Sequence, residues 1–486
     1  MALDNLQKER LKKLKNIEKL GINPYPAKAV RKQTTGQAQK MLGKKVFVAG
    51  RLRSLRPHGK ITFADLEDAS GKIQLFFSQN DLPEKYDFLN NLDLGDFISA
   101  EGEVFKTQAG EITVKVSSFE LLTKSLRPLP PSWYGLKDVE ERYRKRYLDL
   151  LMNPEIKEQF ILKSKFWANA RKYMTEHDFL EVETPVLEQT PGGADARPFK
   201  THHFAQNIPL YLRISPELHL KRLLVGGFEK VFEVGRIFRN EGIDDEHLQD
   251  YTQLEFYWAY SNYDELMNFV EDMYKTIIKE TFGTLITCWQ GNKIDWGKKW
   301  PRVEYFKLLS EHWKIDAEKL TVEDLYNLAD KLKVKVEPNL GKGRLLDYIY
   351  KKTIRPQLLQ PQFLINPPLD VEPLAKRLED NSELVQRMQI LAMGSELGKG
   401  FSELNDPTDQ KKRFEEQMKL RKKGDVEAQM MDKDFVEALE YGMPPAAGFG
   451  FSERLISMIL DKPVREMVFF PIMKPIMKPK KEKNSG

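Results

Sequence analysis

The sequence contains a single cysteine, Cys288, and no long run of apolar residues. One cysteine excludes an internal disulfide and a cysteine-rich zinc site, and it is typical of a reducing compartment. No stretch approaches the roughly 20 apolar residues of a membrane-spanning helix, so we expect a cytoplasmic protein with no membrane partner. An excess of one charge is also lacking, because 77 basic residues stand against 72 acidic ones. A polyanionic partner would therefore have to bind local basic patches.

The 486 residues are sufficient for two or three domains with sizeable cores. Apolar residues recur at helical spacing within residues 5–20, which are rich in lysine, and Gly21 is placed to end that helix. We expect residues 1–44 to form a solvated basic helix and a lead-in. Contact of this helix with the phosphates of a nucleic acid is the alternative.

The rest of the sequence falls into segments with different residue patterns. Short strand-like segments separated by glycines predict a small barrel at 45–124. A proline-rich stretch opens a stiff linker predicted at 125–150, and a mixed region with a helical part at about 289–366 extends over 151–475. The lysine-rich tail at 476–486 is predicted to be disordered.

Residues 231–260 carry the strongest pattern, two strand-like segments joined by a charged loop. Alternation places four polar or aromatic side chains of the second segment on one face: Tyr251, Gln253, Glu255 and Tyr257. Arg239 and Glu241, at the end of the first segment, could meet an anion and an amino group. The pattern indicates a ligand site on one face of a hairpin; a half-solvated hairpin without a ligand is the alternative.

Five segments carry a family resemblance. FRNEG and LEFYWAY, within residues 238–260, resemble motif 2 of the class II aminoacyl-tRNA synthetases. FLEVETPVL at 179–187 resembles motif 1, and GFGFSERL at 448–455 resembles motif 3. YLRISPELHLKRL at 211–223 and GSELGKGFSELNDPTDQ at 394–410 are similar to the lysyl-tRNA synthetases in particular. The resemblance extends from about residue 46 to about residue 475, in the family's order.

This resemblance implies an α+β protein, with an OB-fold anticodon-binding barrel at 45–124 and a class II catalytic domain at 151–475. That domain would have an antiparallel sheet flanked by helices and would form a homodimer through motif 1. The implied activity is ATP-dependent conversion of L-lysine to lysyl-adenylate and transfer of lysine to the 3′ end of tRNA(Lys), with Mg²⁺ as cofactor. Two alternatives are an asparaginyl or aspartyl enzyme, and an impaired synthetase paralogue that binds tRNA as a regulator.

The resemblance also implies roles for cationic residues. Adenylate formation needs no general base, since the attacking carboxylate is already ionised, so positioning and charge neutralisation must supply the catalysis. Arg239 and Arg454 are the implied catalytic residues, both on ATP phosphates. The other implied ATP-binding residues are Glu241, His247, Tyr251 and Glu396. Of these, Glu396 would also bind the metal ion.

Selection of lysine requires negative charge at the far end of a narrow pocket, because an unpaired buried ammonium is prohibitive. The implied lysine-binding residues are Glu217, Arg239, Glu255, Tyr257, Phe401 and Glu403. Glu396 and Glu403 have opposite parity on one strand. They can share a face only if a bend or bulge lies between them, near Gly398 and Gly400.

In the barrel the resemblance assigns anticodon recognition to Phe63, Gln74 and Glu111. An aromatic ring stacks on an unpaired base, and the polar groups select among bases. The alternative for Phe63 is a place in the barrel core.

The chain departs from the family pattern at three positions that bear on the site. Gln389 stands where the family has a glutamate that helps to bind Mg²⁺, Lys399 where it has an asparagine, and Leu248 where an asparagine is common. The motif 3 segment is also one residue shorter than in bacterial lysyl enzymes. These changes concern the number of metal ions and the affinity for lysine.

Overall fold

The computed structural model describes residues 2–130, 138–242, 244–338, 340–422 and 428–476. They form two compact units, residues 1–153 and residues 154–486. Among the helices of the described residues, none combines the length and the apolar character needed to cross a membrane.

The first unit is built around a five-stranded closed barrel with strand order β1-β2-β3-β5-β4. Its strands are β1 (Lys45–His58), β2 (Ile61–Asp68), β3 (Gly71–Ser78), β4 (Phe97–Lys106) and β5 (Ile112–Thr123). Its helices are α1 (Ala2–Lys19), α2 (Thr35–Ala38), α3 (Val139–Arg144) and α4 (Arg146–Met152). Alternate residues such as Val46, Val48, Ala64 and Leu66 fill the interior, as a two-residue repeat requires. The predicted barrel is confirmed.

Helix α1 packs against this barrel, so the prediction of a solvated appendage is wrong. Ile17 is fully buried in the barrel core. The guanidinium of Arg10 donates to the carbonyl oxygens of Ser125 at 3.1 Å, Arg127 at 2.9 Å and Leu94 at 2.9 Å. These two side chains, and the Lys13 ammonium at 2.9 Å from the Asp93 carboxylate, therefore fix the helix against the barrel.

The predicted linker at 125–150 is not extended throughout, because it contains α3 and most of α4. The side chain of Asp138 accepts a hydrogen bond from the Glu141 amide at 2.7 Å and caps α3. The fully buried pair of Arg146 and Asp149, 2.5 Å apart, fixes α4. Residues 131–137 of this stretch, and all of the predicted tail except Ile476, lie outside the described residues.

The second unit contains nine helices among its described residues: α5 (Pro154–Glu176), α6 (Glu217–Val225), α7 (Tyr263–Phe282), α8 (Tyr305–Trp313), α9 (Val322–Lys331), α10 (Lys342–Thr353), α11 (Pro407–Lys422), α12 (Lys433–Glu440) and α13 (Arg454–Ile459). Its first strands are β6 (Leu180–Glu181), β7 (Leu187–Glu188), β8 (Lys200–His203), β9 (Ile208–Leu212), β10 (Lys230–Phe238) and β11 (Asp250–Ala259). The later strands are β12 (Ile286–Trp289), β13 (Asn292–Asp295), β14 (Arg302–Glu304), β15 (Gln362–Ile365), β16 (Arg387–Ala392), β17 (Ser395–Ser402) and β18 (Ala446–Ser452). Helices α8 to α10 lie in the predicted helical part and share an apolar cluster of their own.

An eight-stranded sheet dominates this unit, with strand order β14-β15-β16-β17-β18-β11-β10-β6. The inner pairs are antiparallel, but β6 pairs with β10 and β14 with β15 in parallel. The predicted antiparallel sheet is therefore mixed at its two edges. The short edge strands pair over only two and three residues, too few for the hydrophobic pattern to reveal their direction.

Helix α7 covers one face of the sheet. Its Asn262 side chain accepts hydrogen bonds from two amides of the first turn, and Gly283 ends the helix with a φ of 77°. Leu254 and Phe256 of β11 are fully buried on this side, as the alternation predicts. The opposite face, with Glu255 and Tyr257, is left to line a cavity.

Candidate active site

The polar face of the sheet forms the floor of a cavity of about 610 Å³. Strands β11, β16, β17 and β18, the loop after β10, and α10 all contribute to its lining. Ten of the predicted site residues line it: Glu217, Arg239, Glu241, His247, Tyr251, Glu255, Tyr257, Glu396, Phe401 and Arg454. Residues that are far apart in the chain are thus brought together by strand pairing.

The register of β17, β18 and β11 sets the order of these side chains. Lys399 pairs with Gly450, and Gly450 pairs with Glu255. The neighbouring row contains Phe401, Gly448 and Tyr257. In each row a glycine of the central strand lies between two large side chains, so the floor is lowest along β18.

Gly448 and Gly450 are needed for this shape. A Cβ atom on Gly448 would clash with the Tyr257 ring and with Oε1 of Glu403. A Cβ atom on Gly450 would lie 3.0 Å from Cγ of Glu255. Gly448 and Gly450 therefore leave an open depression in the cavity floor between Glu403 and Glu255, which we call the glycine bed.

A β-bulge in β17 places Glu396 on the same face as the other site residues. Leu391 pairs with Glu396 but Ile390 pairs with Gly398, so Leu397 is the extra residue. Its carbonyl oxygen accepts a hydrogen bond from the hydroxyl of Tyr274 at 2.7 Å, which satisfies a group that the bulge removes from the ladder. The bulge predicted from the parity of Glu396 and Glu403 is confirmed.

One end of the cavity is strongly acidic. Glu217 and Glu255 line it, whereas Glu403 is buried behind the lining. The side chains of Glu403 and Lys221 are fully buried, and the Lys221 ammonium contacts both Glu403 and, at 2.6 Å, Glu217. Oε1 of Glu403 accepts no hydrogen bond from any described residue. Burial raises the pKa of the Glu403 carboxyl well above its usual range, and Lys221 opposes that rise. A buried carboxylate oxygen without a donor next to an open bed is suited to a ligand cation.

Glu255 is the second acidic residue at this end. It accepts hydrogen bonds from Ser215 Oγ at 2.8 Å, Gln253 Nε2 at 2.6 Å and Tyr257 Oη at 3.2 Å. Burial, and then the charge of Glu217, raise its pKa to about 7. Its charge is therefore sensitive to a nearby ligand cation at neutral pH.

The other end of the cavity is cationic. Arg454 donates to the carbonyl oxygen of Glu246 at 3.0 and 3.2 Å and to that of Glu396 at 3.3 Å. Arg239 donates to the carbonyl oxygen of Ile214 at 3.3 Å. Carbonyl oxygens orient both guanidinium groups, and a carboxylate oxygen of Glu246 lies 3.9 Å from Nη1 of Arg454. Both guanidinium groups offer paired N–H donors that suit the oxygens of a phosphate.

The loop after β10 and the start of β11 bring three more predicted residues to this end. The Tyr251 ring centre lies 5.7 Å from the Arg239 guanidinium carbon, a cation–π contact. The His247 ring nitrogen Nδ1 lies 2.8 Å from the Asp244 carboxylate. The carbonyl oxygen of Glu241 is 3.3 Å from the amide nitrogen of Gln249 that donates to it.

Glu396 is the candidate metal ligand, and its surroundings test that role. The amide nitrogen of Gln389 donates to Oε2 of Glu396. Burial would raise the pKa of Glu396, but Lys399 and then Arg387 lower it to about 2. Across the described ranges there is no group of three or more acidic, histidine or cysteine side chains that could hold a metal ion. The Glu396 carboxylate alone suits a hard divalent cation that would arrive with other oxygen ligands.

Three positioning residues were not predicted from the sequence. Lys221 follows Glu217 by four residues on α6, a spacing that brings side chains together on a helix, and this was the available signal. Arg213 contacts Glu233 at 2.5 Å in the interior, and Glu233 lies opposite Glu255 on the next strand. Nothing in the local sequence distinguishes Arg213 from an exposed arginine.

The predicted anticodon residues lie together on the barrel. Phe63 is half-buried, outside the barrel core, with its ring centre 5.2 Å from that of Phe76. Oε1 of Gln74 accepts a hydrogen bond from Thr113 Oγ1 at 2.9 Å, and Glu111 is exposed immediately before β5. The alternative of a core position for Phe63 is therefore wrong.

Comparisons with known proteins agree with this geometry. Residues 138–474 match the family described as tRNA synthetases class II (D, K and N). Residues 46–122 match the OB-fold nucleic acid binding domain. The chain belongs to the class II tRNA synthetases of the D, K and N group.

Three relatives that are similar over nearly the full chain belong to one kind of enzyme in this group. A lysine–tRNA ligase of Carboxydothermus hydrogenoformans is 46% identical over 483 residues, which cover 97% of this chain and 99% of the relative. A lysine–tRNA ligase of Moorella thermoacetica is 45% identical over 482 residues, covering 98% of this chain and 99% of the relative. One from Christiangramia forsetii is 43% identical, with 97% and 87% covered.

Proposed function

We propose that this protein is a lysine–tRNA ligase, which activates L-lysine with ATP and transfers it to the 3′-terminal adenosine of tRNA(Lys). The buried Glu403 carboxylate carries this proposal, because its Oε1 receives no hydrogen bond within the described part of the chain and lies beside the glycine bed. Glu255 and Tyr257 border the same bed. The relatives named above are similar over nearly the whole chain.

The chemistry follows from the two ends of the cavity. The substrate ammonium lies at the acidic end, and its carboxylate reaches towards Arg239. A carboxylate oxygen attacks the α-phosphorus of ATP, a P–O bond forms, and the bond to pyrophosphate breaks. Arg239 stabilises the charge on the α-phosphate and Arg454 that on the terminal phosphate, as fixed donors in a site of low dielectric. A hydroxyl of the terminal adenosine then attacks the lysyl carbonyl and releases AMP.

Glu396 would hold Mg²⁺ that enters with ATP, and the bound ion supplies neutralisation of phosphate charge. Tyr251 is placed to stack on the adenine ring, beside Glu241, and His247 to reach a phosphate oxygen. Glu217 is placed for the substrate α-amino group. Phe401 forms the apolar wall for the methylene chain.

ATP–pyrophosphate exchange with each of the twenty amino acids tests the proposal. Lysine alone should support rapid exchange, because the far end of the pocket is acidic. Exchange with asparagine or aspartate would identify the other enzymes of this group, but those side chains do not match the charge of Glu255 and Glu403. If no amino acid supported exchange, the remaining alternative would be a paralogue that binds tRNA without catalysis.

The dependence of lysine binding on pH follows from Glu255. The pKa of the Glu255 carboxyl is raised to about 7, and this group must lose its proton before it can pair with an ammonium. The dissociation constant of lysine should therefore fall by about tenfold as the pH rises from 6 to 8. Calorimetric titration at several pH values measures this. A Glu255→Gln variant should show weaker binding that is flat over this range, and a flat wild-type profile would contradict the role of Glu255.

The metal requirement should respond to Gln389. Carboxylates are better ligands than amides for a hard cation, so Gln389→Glu should lower the half-saturating Mg²⁺ concentration several-fold. Glu396→Gln should raise it. Titration of exchange activity against free Mg²⁺ at fixed ATP distinguishes the three proteins. A Gln389→Glu curve identical to that of the wild type would show that this side chain does not face the metal ion.

Anticodon recognition should be separable from adenylate formation. Phe63→Ala and Gln74→Ala should each weaken tRNA aminoacylation by roughly 1–3 kcal/mol of binding free energy, the range for loss of one base contact. Lysine-dependent pyrophosphate exchange should be unchanged. Leu75→Ala, which truncates a fully buried neighbour on the same strand, is the control for damage to barrel folding. An equal fall in exchange would remove support for the anticodon role.

We also propose the domain assignment and the assembly implied by the family. The barrel at 45–124 would bind the anticodon, and the region at 151–475 would be catalytic. The apolar side chains of Leu180, Val186 and Leu187, in and beside the two short motif 1 strands, are exposed. They are suited to a homodimer interface there. The exposed free thiol of Cys288 suits a reducing compartment such as the cytoplasm.

A further inference from the structure

An unusual charge cluster lies on the cavity wall beside Glu396. Oε2 of Glu372 is 2.8 Å from the Lys399 ammonium and 3.6 Å from Nε of Arg387. All three residues line the cavity. One carboxylate therefore faces two cations, and the cluster has a surplus positive charge.

The strand register places Lys399 of this cluster opposite Gln389, which bonds to the candidate metal ligand Glu396. Lys399 pairs on its other side with Gly450 of the glycine bed, about 4.8 Å away between strand axes. On this wall the Gln389 amide N–H faces Glu396 and the Lys399 residue lies directly across from Gln389, and neither an amide N–H nor an ammonium can coordinate a metal ion.

The two cations of the cluster differ in their freedom. The side chain of Arg387 is 9% exposed, whereas that of Lys399 is 37% exposed. A lysine ammonium is a compact charge on a flexible stem, and it can exchange one carboxylate partner for another anion without a change in the backbone. Lys399 can therefore turn from Glu372 to an anion in the cavity.

We propose that Lys399 is a second, protein-borne cation for the phosphates of ATP. When the nucleotide binds, the Lys399 ammonium leaves Glu372 and pairs with phosphate oxygens beside Glu396. The inference rests on the proposed ATP-dependent function. It adds that the Lys399 ammonium neutralises part of the phosphate charge. With a carboxylate at position 389, a metal ion would serve that purpose instead.

Glu372 has a definite role in this arrangement. In the free protein it holds Lys399 at the wall and away from Glu255, which lies beyond Gly450 in the same row. Removal of the Glu372 charge should release Lys399 for the nucleotide. This gives a prediction of opposite sign for the two members of one ion pair, which a merely structural salt bridge would not show.

Calorimetric binding of ATP alone, without lysine, tests the inference. In EDTA, Lys399→Asn should weaken ATP binding by about tenfold or more, as expected for loss of a charge-assisted contact. With saturating Mg²⁺ the loss should shrink to about threefold. Glu372→Gln should bind ATP several-fold more tightly than the wild type in EDTA, and Lys399→Arg should retain most of the wild-type affinity. Lys298→Asn, at an exposed position outside the cavity lining, is the matched control and should leave binding unchanged.

Metal counting supplies an independent readout. Titration of Mn²⁺ in the presence of ATP, followed by electron paramagnetic resonance, should find fewer bound ions per site in the wild type than in the double variant Gln389→Glu, Lys399→Asn. Equal counts, or ATP binding by Lys399→Asn in EDTA as tight as that of the wild type, would overturn the inference. If Lys399→Asn does not fold, two other measurements decide the inference. One is the number of bound Mn²⁺ ions in Gln389→Glu compared with the wild type, and the other is whether Glu372→Gln tightens ATP binding. Failure of the proposed function is a different result, since it would appear as wild-type protein without lysine-dependent exchange.

Discussion

Replacement of Glu403 by glutamine should almost abolish lysine activation while ATP binding survives. The substitution keeps the size of the side chain but removes a charge that faces the bed, and it touches no residue at the cationic end. Loss of one charged partner in a buried pair costs about 2–5 kcal/mol. Since 1.4 kcal/mol corresponds to a factor of ten, lysine-dependent exchange should fall by roughly 30-fold to several thousand-fold in kcat/KM.

Steady-state exchange kinetics and ATP binding, measured on the same preparation, check this result. Glu415→Gln makes the same chemical change at an exposed position on α11 and should behave as the wild type. A Glu403→Gln enzyme with an unchanged lysine KM and turnover would show that this carboxylate does not face the substrate. A parallel loss of ATP affinity would point to general damage to the cavity.

Replacement of Lys221 by methionine should destabilise the protein and weaken lysine binding. The ammonium of Lys221 contacts Glu217 and Glu403 and is fully buried among the rings of Tyr257, Phe401 and Phe435. Its removal leaves two adjacent buried carboxyl groups without a cation. Breaking a buried pair in this way should lower the free energy of unfolding by about 3–5 kcal/mol, as measured by urea denaturation.

The sign of the pH effect in this variant can be worked out. Burial already raises the pKa of Glu217, and without Lys221 nothing comparable opposes that rise. A raised pKa means that the folded protein binds the proton more tightly than the unfolded chain, so stability falls as the pH rises through that pKa. The deficit should therefore be larger at pH 8 than at pH 6, and a deficit independent of pH would contradict this account.

Two controls separate charge from packing at Lys221. Lys221→Arg keeps the cation and should retain more stability than Lys221→Met. The pair of Glu271 and Lys275 has the same spacing on α7, but Lys275 is 22% exposed, so Lys275→Met should cost about 1 kcal/mol or less. If both substitutions lowered the free energy of unfolding equally, burial of the Lys221 pair would not account for the effect.

Residue alternation explains how much of the site was accessible from the sequence. Glu255 and Tyr257 share the parity of one strand, and their common face was predicted correctly. The conflict in parity between Glu396 and Glu403 also predicted a bend or a bulge between them, because a regular two-residue repeat cannot place both on one face, and the structure has a bulge there. Motif resemblance supplied the segments that strand pairing then brings together.

Contacts between distant segments explain what the sequence did not reveal. Arg10 lies in a lysine-rich stretch that is typical of an exposed helix face, and Lys221 lies beside Arg222 on a short helix; only tertiary packing buries Arg10 and Lys221. The parallel edges of the sheet depend on pairs of two or three residues. The Lys399 and Glu372 pair joins residues on different elements, and neither residue predicts the other.

The extra residue at Leu397 also makes the length of β17 a genetic constraint. A deletion of one codon between positions 396 and 399, in frame, would restore regular pairing and turn the Glu396 carboxylate towards the covered face of the sheet. Phe401 and Glu403, after the deletion point, would keep their places. Such an allele would retain the residues that recognise the amino acid while losing a residue that serves its activation.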